Sequence, residues 1–342
     1  MEASVHSQLR VTRRQILSFR RRVGALDERM AAGPESLRRA AWAGLQDSMP
    51  RAALLSLHAR VEGVEPSTWE HPALAQLWGP RYSTYVVPKR DFALFSLGRL
   101  PDDAKGRERA ERMAERMHAQ LDGRRMTDRE LGRALGVGNA LRYAATTGTV
   151  AIRWEGARAP LVWSVPAPRI DAAAARRELA RRYLRVFGPA TAERFARWAG
   201  ISRRSAAEAF ASLEASLLPV RSPLGDESLL ADDEPELLAA ETPDAPARLL
   251  PSGDAYFLLQ SAERELLLPR AAQRERLWTS RVWPGALLVD GEILGTWRRA
   301  EHTVRIDAWS RLARTARDAV EAEAAVLPLP ALDRAIDVVW EG

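Results

Sequence analysis

The chain contains no cysteine, and only Lys89 and Lys105 are lysines among its 51 basic residues. The first absence excludes disulfides, thiolate zinc sites, cysteine-ligated iron–sulfur clusters and cysteine nucleophiles together. Histidine is sparse as well. His6, His58, His71, His118 and His302 never stand at H-x-x-H or H-E-x-x-H spacing, so neither a metal nor a cofactor is expected. No stretch reaches about eighteen apolar residues without a charge, and residues 1–10 have no apolar core of signal-peptide length. A cytoplasmic protein with no part in a membrane is expected.

What the chain has in abundance is arginine, with a formal net charge of +6 over 342 residues. Its guanidinium is the fork-shaped, always-charged binder of phosphate. A bias to alanine and arginine at the expense of lysine also follows genome base composition, so the charge alone names no partner. With 46% apolar and 28% charged residues the chain is long enough for a large core and for two or three domains.

An internal repeat organises the middle of the sequence. Thr127, Leu131, Leu135 and Gly136 recur as Thr191, Phe195, Ala199 and Gly200, each set closing a short amphipathic helix. In the first copy Thr127-Asp128-Arg129-Glu130 is a capping box that opens a helix, and Gly136-Val137-Gly138 stops it. A second helix is predicted over 139–145, with Leu141 inward and Arg142 outward, which is helix-turn-helix spacing. Alternation over 149–154 and 161–165 then predicts a hairpin. With the preceding helix at 105–121, this is the element order of a winged helix. The second copy repeats it, with helices at 171–187, from Thr191 and from Ser202, and a hairpin at 217–221 and 228–231.

Upstream, helices are predicted at 11–26, 35–45, 50–61 and 92–97 with a strand at 82–87, a degenerate copy of the same unit. The acidic, proline-bearing stretch 232–246 predicts a connector. Beyond it the period falls to two: a hairpin over 286–299 with an Asp290-Gly291 turn, a strand at 303–306, a helix at 308–326 and an edge strand at 336–340. The fold class is therefore expected to be α+β, with tandem winged-helix repeats at 10–99, 100–168 and 169–232. A small C-terminal antiparallel β-barrel or sheet with a terminal helix is expected to follow at 247–342.

Several stretches resemble the tandem winged-helix family that includes the AlkZ-type and YcaQ-type DNA glycosylases. They are Ala43-Gly44-Leu45-Gln46 with Arg60, residues 131–150, Arg248-Leu249-Leu250-Pro251 with Asp254, and the GALLVDGEILGTWRR run from Gly285 to Arg299. The resemblance spans residues 10 to 330. It implies three winged helices and a β-barrel curved around duplex DNA, and excision of bulky or crosslinked N-alkylated purines. The family signature is Gln, an apolar residue, then Gln or Asp, which falls on Gln46-Asp47-Ser48 here. Gln46 matches; Asp47 replaces the apolar residue, and Ser48 stands where the second Gln or an Asp is expected. By this resemblance Gln46 would contact the substrate and help place water, and Asp47 is the acid or base to be tested. An unactivated serine is no general base near neutral pH. On residue type alone, Ser48 would cap a helix starting at Pro50, and Asp47 would be a solvated loop acid.

For double-stranded DNA the candidate contacts are Arg133, Asn139, Arg142 and Tyr143 on or beside the middle recognition helix, and Arg153 and Arg158 on its wing. Arg203, Arg204 and Arg221 are their counterparts in the next copy, and Lys89 and Arg90 end the first wing. Such cations would hold phosphates rather than read bases. Trp154, Trp163, Trp198, Trp283, Trp297 and Trp309 are expected in the core. Two functions fit: a monomeric, metal-free, monofunctional DNA glycosylase acting on alkylated or crosslinked duplex, or a non-catalytic winged-helix binder that shields lesions, recruits a partner or regulates transcription.

Overall fold

The computed structural model describes residues 8–49, 51–156, 158–239, 245–329 and 334–341. The chain opens with a short strand β1 (Leu9–Arg10) and helix α1 (Arg13–Val23), started by a capping box between Thr12 and Gln15. Helix α2 (Pro34–Ala40) follows. The predicted helix 35–45 stops early, because Gly44 takes φ +77° and turns Leu45–Gln46 into strand β2. A Cβ at Gly44 would lie 3.0 Å from Tyr85 and 3.1 Å from Phe95, so the position demands glycine twice over. After α3 (Ala52–His58), β3 (Leu74–Trp78) and β4 (Thr84–Pro88) complete an antiparallel sheet in the order β2-β4-β3. Gln46 lies opposite Tyr85 in it. Strand β3 escapes sequence patterning because four of its five residues are buried, leaving no alternation to read. Helix α4 (Phe92–Leu97) closes this unit.

The second unit runs α5 (Ala104–Leu121), β5 (Met126–Thr127), α6 (Asp128–Ala134), a 3-10 helix over Asn139–Thr147, and the hairpin β6 (Val150–Arg153) and β7 (Leu161–Ser164). The Thr127–Glu130 capping box is present as read from the sequence. Met117, Leu121, Leu131, Leu141 and Val162 form its core. The third unit repeats the order: α7 (Ala172–Phe187), α8 (Ala192–Ala199), α9 (Arg203–Ala211), β8 (Leu217–Ser222) and β9 (Gly225–Leu230). Thr191 and Ser202 cap α8 and α9, and Gly200 at φ +73° separates them. Strand β1 crosses over to pair in parallel with β8, so the first residues of the chain complete the third unit's sheet. The stretch expected as a connector is instead partly folded. Helix α10 (Glu234–Leu238) buries Leu237 beside Ile16 and Phe19, and Asp233 pairs with Arg185. The rest of that stretch, 240–244, lies outside the described residues, as do the first seven residues and Pro50.

The C-terminal part contains β10 (Arg248–Leu250), α11 (Ala262–Leu267), α12 (Ala271–Leu277), β11 (Gly285–Val289), β12 (Glu292–Ala300), β13 (Thr303–Ala308), α13 (Arg314–Ala325) and β14 (Asp337–Glu341). The Asp290-Gly291 turn is where the sequence puts it, both residues at positive φ. Two expectations are corrected. The strands form an open sheet in the order β10-β11-β12-β13-β14, with no closed barrel among the described residues, and β14 joins β13 in parallel. The reason for both is α13, which packs Val320 and Ala324 onto Leu249, Leu287 and Val289 and returns the chain to the β13 edge. No helix among the described residues is long and apolar enough to cross a membrane.

Buried arginines tie these parts together. Arg60 of the α3 end gives two 2.7 Å bonds to Asp254, which also accepts from Ser56 Oγ at 2.7 Å. Arg20 donates to the carbonyls of Phe187 and Gly188, and Arg99 to those of Trp78 and Ala199. Arg60→Ala would leave the Asp254 carboxylate charged, buried and unpaired. Urea unfolding should show a loss of about 3–5 kcal/mol, with Arg60→Lys, which cannot bond in bidentate fashion, recovering only part of it.

Candidate active site and nucleic-acid interface

Strand β2 sets the geometry of the Gln46-Asp47-Ser48 stretch, because successive side chains on an extended strand point to opposite faces. Gln46 and Ser48 share one face, where the Gln46 Nε2 donates to Ser48 Oγ. The Gln46 Oε1 accepts from Arg81 Nη2 at 3.3 Å and from the Tyr85 hydroxyl at 3.5 Å. A guanidinium can only donate, so Arg81 dictates which end of the amide faces it. Across from Gln46 lies Gly253, at φ +78°; a Cβ there would come within 3.3 Å of Gln46 Nε2. The half-buried Gln46 amide and the exposed Ser48 hydroxyl can therefore orient a water, and among the described residues no carboxylate bonds to either.

Asp47 points the other way and is 1% exposed. One oxygen accepts from the Ala53 amide at 3.0 Å and the other from Gln76 Nε2 at 3.0 Å. Burial pushes its carboxyl up to about 6, against the downward pull of the Ala53 amide, Arg51 and Gln76. It is not the solvated acid expected from residue type, nor does Ser48 cap the following helix. Asp47 satisfies the amide at the start of α3, while Arg51, at φ 64°, precedes it without a capping side chain. Gln76 extends the network, taking the Trp154 amide at 2.6 Å on its own oxygen, and so joins β3 to the end of β6. Arg51 lies 3.7 Å over the Trp69 ring and reaches the carbonyls of Trp154 and Glu155.

Four of the predicted DNA contacts, Arg133, Asn139, Arg142 and Arg158, line one groove of about 720 Å³ together with Arg129, Trp78 and Trp154. The side chains of Arg133 and Arg158 form no hydrogen bond or ion pair among the described residues, though Glu130, one turn before Arg133, feels its charge. Arg142 donates to the Tyr82 carbonyl at 3.2 Å. The turn Pro80–Tyr82, with Arg81 at φ 53° and Tyr82 at φ 58°, thus touches both the groove and Gln46. Tyr143 is drawn into the same junction, edge-on to Tyr82 at 5.4 Å with Arg109 4.7 Å over its ring.

The remaining predicted contacts lie elsewhere. Arg153 faces away from this groove and pairs with Glu70 and Glu155. Lys89 and Arg90 are exposed after β4, Arg90 beside Glu35 at 3.2 Å. Arg203, Arg204 and Arg221 are exposed and paired with Glu193, Glu208 and Asp226. Surface pairs of this kind are worth about 0–1 kcal/mol, so exchanging the acid for a phosphate costs little. Of the tryptophans expected in the core, Trp198 and Trp297 are buried, whereas Trp154, Trp163, Trp283 and Trp309 are only partly covered. Sequence reasoning passed over Arg81, Tyr85, Gln76 and Arg129. Of these only Arg129, beside the Thr127 capping box, carried a local signal. The other three matter through contacts distant in sequence.

The family model described as DNA glycosylase AlkZ-like matches residues 39–327 of this chain. Among solved structures, the Streptomyces sahachiroi DNA glycosylase AlkZ is similar with a TM-score of 0.78 at 19% identity, covering 97% of this chain and 100% of that one, a likeness of fold. A search of curated proteins finds no match.

Asp47 makes the site testable by pH. Its carboxyl, raised to about 6 in the fold from the ordinary 3.8, holds a proton that the unfolded chain has already released. The stability it contributes is thus fully present below about pH 4 and lost as pH rises through about 6. Relative to Asp47→Asn, the native chain should lose about 3 kcal/mol between pH 4 and pH 7 in urea unfolding. A difference independent of pH would contradict the buried placement.

Proposed function

The chain belongs to the AlkZ-like DNA glycosylase family, and on that footing we propose that it binds duplex DNA and hydrolyses the N-glycosidic bond of bulky or crosslinked N-alkylated purines. In this reading residues 10–99, 100–168 and 169–232 are three winged-helix units, and the protein acts in the cytoplasm as a monomer without metal or cofactor. The observation that carries it is the Pro80–Tyr82 turn, which bonds on one side to Gln46 and on the other to a groove lined by Arg129, Arg133, Arg142 and Arg158.

An N7- or N3-alkylated purine is already cationic and leaves without protonation. The protein must then position a water and tolerate an oxocarbenium-like sugar. Gln46 supplies the positioning, with its amide held in one orientation by Arg81 and Tyr85, and Ser48 adds a second polar atom on the same face. Asp47 works from behind, anchoring α3 and Gln76, so it is a positioning residue rather than a base. With no carboxylate bonded to Gln46 or Ser48 among the described residues, the rate in this reading rests on the charge of the leaving base. Cationic lesions should be excised and neutral ones such as uracil left in place.

The inward face of Asp47 together with Ser48 also favours the second reading, a protein that binds lesions without excising them. Duplex carrying N7-methylguanine, scored for abasic sites after alkali, separates the two. Release of the base that is abolished by Gln46→Ala establishes the enzyme, and no release above a protein-free control leaves binding alone. In parallel, Arg133→Ala and Arg158→Ala should each lower the slope of log affinity against log salt by about 1; slopes that do not change would remove these residues from the interface.

A further inference from the structure

A second groove, of about 580 Å³, opens on the outer face of the β6–β7 hairpin, between it and the first unit. Its position follows from strand alternation: Trp154 lines the groove described above, and its neighbour Arg153 lines this one. The volume is within the range of about 300–1,000 Å³ that small-molecule sites occupy.

The lining divides into an apolar floor and a cationic rim. Phe92, Ala151, Pro166 and the half-buried ring of Trp163 belong to the floor, and Lys89, Arg90, Arg125 and Arg153 bring four positive charges. Glu70, the acid of this lining, is already paired with Arg153. Two of the cations are uncommitted. The side chains of Lys89 and Arg125 form no hydrogen bond or ion pair among the described residues, and the Arg125 guanidinium lies 4.7 Å over the Trp163 ring. A guanidinium resting on an indole keeps its N–H edge outward and is held in place, so it receives a phosphate with little ordering still to be done.

Phosphate alone would not call for an apolar floor, and a duplex keeps its base faces stacked away from such a surface. A ligand with one phosphate and one exposed aromatic ring uses both halves of the groove. We propose that this groove binds an unpaired nucleotide, with its phosphate on Lys89 and Arg125 and its base against Phe92 and Trp163. The unpaired nucleotide comes either from a single strand beside the duplex or from a free mononucleotide. The site is independent of glycosidic cleavage and stands whether or not the Gln46 face excises a base.

The test titrates the full chain with a fluorescent short oligothymidylate, with AMP as competitor. Arg125→Glu and Lys89→Glu should each weaken oligothymidylate binding roughly tenfold, and Trp163→Ala by a similar factor through lost stacking. Unchanged thermal midpoints for the two exposed charge reversals show that they remain folded. Arg133→Glu, in the other groove, should weaken binding of intact duplex while leaving oligothymidylate affinity in place. Displacement by AMP at comparable concentration assigns the groove to free mononucleotide, and no displacement assigns it to an unpaired strand. If the native chain binds neither probe, or if oligothymidylate affinity is unmoved by both charge reversals, the proposal is overturned. Excision of N7-methylguanine is read separately, so failure here and failure of the glycosylase reading are told apart.

Discussion

A guanidinium and a carboxylate taken out of water together must satisfy nearly all of each other's hydrogen bonds, and Arg60 with Asp254 does so. Asp254 accepts from two Arg60 nitrogens, from Ser56 and from the Tyr256 amide, while Arg60 also reaches the Ser56 carbonyl. Replacing such a pair wholesale by apolar residues is often neutral for stability. Its role here is placement. It locks the end of α3 to the segment after β10, and the residue before Asp254 is Gly253, which faces Gln46. The other end of α3 hangs on Asp47. One buried pair thus sets the distance between the C-terminal part of the chain and the stretch on which any glycosidic chemistry would depend.

Arginine serves this protein in three environments that composition cannot separate. Arg20, Arg60, Arg99, Arg176, Arg182 and Arg248 are buried, and most of them donate to carbonyl oxygens at the ends of helices and strands in other units. That use exploits five donors on one rigid fork, which a lysine could not reproduce. A second group, including Arg203, Arg204 and Arg221, forms exposed pairs that a phosphate could replace. A third group, Arg133 and Arg158 in one groove and Arg125 in the other, has side chains in no ion pair among the described residues, although Glu130 lies one turn from Arg133. The net charge of +6 is modest because 45 carboxylates stand against the 51 basic residues, and it does not show which arginines belong to which group.

The Gln46 face differs in character from a carboxylate-based hydrolytic site. Its polar atoms are an amide clamped by donors and a hydroxyl, and the nearby acid is turned into the interior, where burial raises its proton affinity. Such a face can hold a water or a polar group of the substrate in place but offers little negative charge to a developing sugar cation. Under the proposed function, the chemistry left to such a face is cleavage of a bond already weakened by charge on the leaving base.

Much of the architecture could be read directly. Capping boxes, Gly136 and Gly200 stops, the Asp290-Gly291 turn and the repeat from Thr127 to Thr191 are local signals, because caps and tight turns are decided within a few residues by backbone hydrogen bonding and positive φ. The family likeness at Gly44-Leu45-Gln46, Arg60 and Asp254 also lay in the sequence, though not the fact that Arg60 and Asp254 bond to one another. What only the tertiary structure decided were relations between distant residues. Strand β1 completes a sheet more than two hundred residues away, α13 keeps the C-terminal sheet open, and Arg81 holds the Gln46 amide. The side of the strand on which Asp47 lies was decided there as well. A strand shows its period in sequence but not which face meets the core until its partners are in place, and for Asp47 that choice of face separates a reacting carboxylate from an anchoring one.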